Sequence, residues 1–356
     1  MTRCSYKKLS VLVLAVALTP AGAALACPPG ELPALAVPHG IYHGAFANFS
    51  AGDRNEEYVT TARIRRFAKL AGKGLAWAYF SQNFFAGLAF PRASVARIWR
   101  SGAVPVIDLM PWSAQVERQA EHTFTLARIA AGDFDRPLRA WGRAAAASGV
   151  PLIVDFGPEV NGDWFPWNGL YNGAGALTPE GPAGPAAFRA AYRRLVIDIR
   201  FAGARNVEFA FHIEDYSEPE AGWNEASLYY PGDSYVDWVG VSIYGDPPTQ
   251  PFAAALSDAY AQLSAFAPSK PVAIFEYAAP QSIGSKAKAA WIRSALATLA
   301  SARFKRVHAA SWWQERFSED GHTRDYRIDS SPAALGAYRA GVRSPSVLSK
   351  PLLTCR

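Results

Sequence analysis

Two glutamates stand where a carboxylate could do chemistry. Glu159 follows a glycine and a proline in FGPEVNGDWFPWNG (156–169), with Trp164, Phe165 and Trp167 crowded close behind it, and Glu276 closes the apolar run PVAIFE (271–276). Cleavage of a glycosidic bond requires such a pair: one carboxylic acid protonates the leaving oxygen while the other carboxylate attacks the sugar or activates water. Their pKa values must be pushed apart. A glutamate beside Pro158 and the Trp164 and Trp167 rings is partly desolvated, which favours its protonated form, so Glu159 is expected as the general acid. Glu276, with a hydrogen bond expected from Tyr244, is expected to stay ionised as the nucleophile. Indole rings suit this chemistry because their flat faces meet the C–H faces of sugars while the N–H bonds a hydroxyl. The chain has eleven tryptophans, many beside Gly, Pro and Asn, which points to a surface cleft lined with rings.

Plainer readings exist for each residue. A glutamate at a strand end is ordinarily solvated or ion-paired, and Trp238, inside a strand-like run, fits the core. His212 and Asp108 fit satisfied structural groups, and Asp233 in YYPGDSYVDW is turn chemistry. The conjunction of two glutamates with the rings is what favours catalysis.

Such residues have to be carried by elements, and one punctuation repeats along the chain. A helical stretch ends at a glycine and a β-rich run follows: AGKGLAWAYF (71–80), SGAVPVIDLM (101–110), SGVPLIVDF (148–156) and AGARNVEFAF (202–211). Glycine suits the residue past a helix end because it takes positive φ without a Cβ clash. In 186–203, Phe188, Tyr192, Leu195 and Ile199 share one face, as in an amphipathic helix. Further runs at 40–46, 235–244, 271–276 and 307–313 bring the strands to eight, several of them apolar without alternation, as in parallel strands covered on both faces. Eight strands with helices between most of them predict an α/β fold, a single (β/α)8 TIM barrel, whose active site sits at the C-terminal strand ends. An open doubly wound sheet is the alternative, but no G-x-G-x-x-G loop follows the first strand. The barrel brings Tyr79, Ser81, Asp108 and Trp112 to one mouth with Glu159 and Asn161. The later strands add His212, Glu214, Tyr244, Glu276, Trp312 and Gln314.

Residues 1–26 read as a signal peptide: Arg3, Lys7 and Lys8 precede an apolar run from Leu9 to Leu18, then Ala24-Leu25-Ala26. Secretion or periplasmic export follows, with residues 27–356 as one catalytic domain. A lipoprotein acylated at Cys27 is the alternative, weakened by Ala24 in place of a large aliphatic residue. No later run is long enough for a membrane span. Losing the three leader cations lowers the net charge from +6 to +3, which gives no reason to expect nucleic acid or anionic membranes as partners. Cys27 and Cys355, at the two ends of the mature chain, can pair in an oxidising compartment, and a closed barrel brings the ends together. Six scattered histidines without metal spacing, no H-E-x-x-H and no G-x-S-x-G exclude a zinc hydrolase and a serine hydrolase of the elbow type. A P-loop is missing too.

PEVNGDWFPWNG (158–169), YYPGDSYVDWVGVSIYG (229–245) and PVAIFEYA (271–278) together resemble three motifs of glycoside hydrolase family 26, the secreted β-mannanases and relatives. IAAGDFDRPLRAWGRAA (129–145) and DYRIDSSPAALGAYR (325–339) are similar to flanking segments, so the likeness spans most of 40–340. The resemblance implies Glu159 as acid/base, Glu276 as nucleophile, Tyr244 hydrogen-bonded to that nucleophile, and Trp164 and Trp312 near the scissile sugar. It implies retention by double displacement, with no cofactor or metal. Two positions depart from the family. Pro158 stands where a histidine is usual and Asp155 where an arginine is often found, with His212 a candidate to take over the histidine's part. Substrate-binding residues are expected at Asn161, Trp164, Trp167, Tyr244, Trp312, Trp112 and His212. The expected activity is that of a monomeric retaining endo-β-glycosidase on a polysaccharide, β-1,4-mannan by default. A β-glucan, β-1,3-xylan or exopolysaccharide is the alternative substrate. A carbohydrate-binding protein without turnover is the competing class, whereas a structural envelope protein leaves the carboxylates and rings unexplained.

Overall fold

The computed structural model describes residues 27–49, 56–246, 251–319 and 321–356. The expected leader lies outside the described residues. Eight parallel strands form the centre: β1 Ile41–Phe46, β2 Trp77–Asn83, β3 Val104–Met110, β4 Leu152–Phe156, β5 Val207–Glu214, β6 Trp238–Tyr244, β7 Val272–Ala278 and β8 Val307–Trp313. Each pairs with the next in sequence, and β8 pairs with β1 from Ala309 against Tyr42 to Trp313 against Phe46. The sheet therefore closes, and the barrel expected from the sequence is the fold.

Helices wrap it as the repeated punctuation requires. α1 Thr61–Ala71, α2 Arg92–Arg100, α3 Leu126–Ala131, α4 Asp135–Ser148 and α5 Ala183–Phe201 connect the first five strands. α6 Ala226–Tyr229, α7 Phe252–Phe266 and α8 Ser285–Leu299 connect the rest, and α9 Pro332–Val342 follows β8. The glycines that end α1 and α4, Gly72 and Gly149, take φ of 69° and 62°. Phe188, Tyr192, Leu195 and Ile199 of α5 are fully buried against the barrel.

Inside the barrel, bulk from one strand enters space left by a glycine on its neighbour. A Cβ on Gly44 would lie 1.7 Å from Trp77 Nε1, and one on Gly240 would lie 2.5 Å from the Phe275 ring. Gly44 thus leaves room for the Trp77 indole, which reaches across to donate to Ser311 Oγ at 2.7 Å and packs beside Trp238 and Phe275. These rings fill the floor, and the polar residues lie above them.

The two ends of the described chain meet. Pro33–Leu35 pairs antiparallel with Leu353–Cys355, and Cys27 is disulfide-bonded to Cys355 with their Cα atoms 5.6 Å apart. Leu35 also approaches Glu208 at the start of β5, so this ribbon lies under the N-terminal strand ends, opposite the mouth. Among the described residues no helix is long and apolar enough to cross a membrane.

Candidate active site

At the C-terminal strand ends lies a cleft of about 830 Å3, and Glu159 and Glu276 both line it. Glu276 is the fifth residue of β7, with a buried side chain whose rotamers packing restricts. Its carboxylate accepts two phenolic hydrogen bonds, from Tyr79 of β2 on Oε1 at 3.0 Å and from Tyr244 of β6 on Oε2. Burial and the charges of Glu159 and Asp108 push its pKa well above the usual carboxylate range, and the Tyr244 hydrogen bond works against them.

Glu159 is placed by an irregular turn. β4 ends at Phe156, Gly157 takes φ of 62°, and Glu159 itself has φ of 50°, a left-handed conformation uncommon for a side-chain-bearing residue. Such conformations persist when their surroundings over-determine them, and here they do. Trp167 Nε1 donates to the Pro158 carbonyl at 2.7 Å, and Asn168 Nδ2 to the Val160 carbonyl at 2.9 Å. Asn161 Oδ1 accepts from Glu214 N–H at 2.8 Å while its amide donates to the carbonyls of Glu214 and Tyr216. The segment is tied to the end of β5, and the Glu159 carboxylate then accepts from Trp164 Nε1 at 2.7 Å. A Cβ on Gly162 would lie 2.1 Å from the Trp164 ring, so glycine there lets the indole fold back over the carboxylate.

The expected substrate-binding residues divide into two groups. Trp112, Trp164 and Tyr244 line the cleft, as does Phe165. Asn161 and Trp167 do not; both are buried and brace the turn just described. Trp312 does not either. It is fully buried, donates to the Tyr326 carbonyl at 3.0 Å, and packs on Tyr277 and Tyr338. Its neighbour Trp313 lines the cleft, stacked on Phe46 with centroids 4.0 Å apart. Successive strand residues point to opposite faces, so a one-residue slip changes wall into core. His212 is 1% exposed and absent from the cleft lining, with its ring bonded to Asp155 Oδ2 at 2.7 Å and Ser242 Oγ at 2.8 Å, as in the structural reading that the sequence also allowed.

Sequence reasoning missed the far wall. The hairpin Arg316–Glu319 with His322–Asp325 carries Phe317 and Arg324 to the cleft, next to Tyr326 and Asp246. Arg324 bonds Asp246 at 3.0 Å and the Tyr326 hydroxyl donates to the same carboxylate at 2.6 Å. The signal was available in FSEDGHTR (317–324), where Asp-Gly between two polar, β-compatible runs is hairpin chemistry. Ten acidic side chains line the cleft against two arginines, each of which is engaged with an aspartate, Arg118 with Asp163 and Arg324 with Asp246. Burial raises the pKa of Glu56 to about 8 and pushes those of Asp108, Glu214, Asp215 and Glu276 upward, so the charge of this lining is smaller than its count of acids.

Fold and site together define a (β/α)8 protein whose mouth holds two glutamates on separate strands among aromatic walls. Residues 136–298, from α4 through α8, match the sequence model of glycosyl hydrolase family 26. That stretch contains Glu159, Tyr244 and Glu276, and the resemblance to family 26 stands on it. The chain is 28% identical over 314 residues to Endoglucanase H of Acetivibrio thermocellus, across 85% of this chain and 32% of that protein. It thus spans about a third of the length of the curated relative it matches. Among solved structures, the catalytic domain of a Bacillus endo-β-1,4-mannanase superposes with a TM-score of 0.63 at 17% identity, covering 87% of each chain. An endo-β-1,4-mannanase of Cellulomonas fimi superposes with a TM-score of 0.61 at 18% identity, over 87% of this chain and 72% of that one. At those identities the likeness is one of fold.

Proposed function

We propose that the protein is a secreted, retaining endo-β-glycosidase that hydrolyses a β-linked polysaccharide, β-1,4-mannan by default, with Glu276 as nucleophile and Glu159 as acid/base. One observation carries the reading: the two carboxylates open on one cleft, one held by two phenols and the other by an indole N–H. In the first step Glu276 attacks the anomeric carbon, the glycosidic C–O bond breaks, and Glu159 gives its proton to the departing oxygen. A glycosyl ester remains. In the second, water attacks the same carbon and yields a proton to Glu159, and the ester C–O bond breaks to release the Glu276 carboxylate. The two phenolic donors to Glu276 stabilise its charged form, against burial and the neighbouring carboxylates, which raise its pKa. Trp112, Trp164 and Trp313 offer the flat faces along which a sugar chain would lie.

A mixed β-glucan is the second substrate reading, favoured by the 28% identity to Endoglucanase H against 17–18% to the mannanases. Export rests on the leader-like residues 1–26 and on the Cys27–Cys355 disulfide. Release of reducing sugar from mannan, glucomannan, lichenan and β-1,3-xylan tests the proposal. Glu276→Ala and Glu159→Ala should each remove nearly all of it while circular dichroism stays unchanged. Wild-type turnover in either variant would refute the roles, and binding without hydrolysis by the wild-type protein would favour a carbohydrate-binding protein.

A further inference from the structure

Next to Glu276 lies a second carboxyl pair that the two-step reaction does not use; Asp108 is part of the cleft lining and Asp155 is not. Asp108 of β3 and Asp155 of β4 are Cα partners in the parallel ladder. They are 3% and 0% exposed, and among the described residues Oδ1 of each has no hydrogen-bond partner. Among the described residues neither forms an ion pair with a lysine or arginine; the one cationic candidate is His212, whose Nδ1 lies 2.7 Å from Asp155 Oδ2. Burial lowers the His212 pKa to about 4, which favours the neutral ring. The other titratable groups facing the pair are Tyr79 from β2, Glu56, Glu159, Tyr192 from α5 and Glu276 from β7, so the charges around it are negative. Two adjacent buried carboxylates among further acidic groups are costly when both are ionised, and keeping one proton relieves that cost.

We propose that Asp108 and Asp155 hold one proton between them, carried by Asp108 and hydrogen-bonded to an ionised Asp155, and that this makes the pair a positioning device for the nucleophile. The inference rests on the reading of Glu276 given above. Asp155 then accepts two donors, Asp108 O–H and His212 Nδ1–H, and Ser242 O–H donates to His212 Nε2 at 2.8 Å. The link to the cleft is Tyr79, whose hydroxyl has one proton and two acceptors in reach, Glu276 Oε1 at 3.0 Å and Asp108. A neutral Asp108 competes weakly for that proton, so it goes to Glu276. An ionised Asp108 would draw it away and add a negative charge beside the nucleophile. Burial and the neighbouring carboxylates push both aspartates well above their usual range, in accord with a retained proton.

The test combines infrared spectroscopy with a pH profile. In a Glu159→Gln/Glu276→Gln background at pH 7, adding Asp108→Asn should remove one protonated-carboxyl carbonyl band from the difference spectrum. In the otherwise native enzyme, Asp108→Asn should leave the acid limb of kcat/KM at its wild-type pH whatever happens to kcat. Tyr79→Phe should move that limb to higher pH, because Glu276 loses a donor. Loss of no band, a shift of the Asp108→Asn limb to lower pH, or one equivalent of tightly bound divalent cation in the purified protein would each show a charged pair and overturn the proposal. An unmoved limb in Tyr79→Phe would overturn the link to Glu276. If the wild-type protein cleaves no glycan, the nucleophile assignment fails, while the infrared result still decides where the proton is.

Discussion

At the scale of single residues, the site is a contest over one carboxylate. Glu276 is driven toward its neutral form by burial and by Glu159, and two phenols oppose that drive. Removing the Tyr244 hydroxyl takes away a contribution that lowers the Glu276 pKa, so the pKa rises. The acid limb of kcat/KM in Tyr244→Phe should therefore move to higher pH, and activity on the acid side should fall about tenfold or more, as for loss of a hydrogen bond to a charged group. A pH–rate profile checks it, and an unmoved acid limb would contradict the role given to Tyr244. That both glutamates and Tyr244 reach the cleft was legible because each ends a strand-like run or adjoins a glycine-rich turn. Trp312 was misplaced because sequence shows a strand's position more closely than the face on which each side chain emerges, and a one-residue difference exchanged it for Trp313 at the wall; His212 shares a face with Glu214 but lies one layer deeper, a depth that sequence does not show.

The eight strands and the helices between them were read from apolar runs and the glycines that stop the helices, a local signal that needs no tertiary information. The hairpin 316–325 and the ribbon 33–35 with 353–355 escaped because their short strands are stabilised by partners that local pattern does not reveal. Nor did the pattern show how large and small residues alternate around the barrel. Gly44 sits in a strand with the Trp77 indole where a Cβ would be, so Gly44→Ala forces the ring, and its bond to Ser311, out of place. Overpacking of this kind costs about 1–3 kcal/mol. Urea unfolding of Gly44→Ala should show a loss of at least that size, whereas Gly222→Ala, where nothing lies near the added methyl, should show much less.

For the molecule as a whole, the bond that matters most joins positions 328 residues apart in sequence. Cross-linking distant positions lowers the entropy of the unfolded chain, and a typical disulfide contributes about 2–5 kcal/mol. The double change Cys27→Ser/Cys355→Ser should reduce unfolding free energy by that amount and leave kcat/KM at 25 °C unchanged, because the bond lies under the floor and the cleft opens at the other end. A loss of activity without loss of stability would show that floor and mouth are coupled. This pairing was legible from residue type and position, since a closed barrel brings positions 27 and 355 together. The same bond makes the covalent structure between residues 27 and 355 a loop. A protease that cuts any one surface connection within it opens the loop without releasing a fragment, so both pieces stay tethered and can re-form the barrel. A single nick then leaves one covalent molecule.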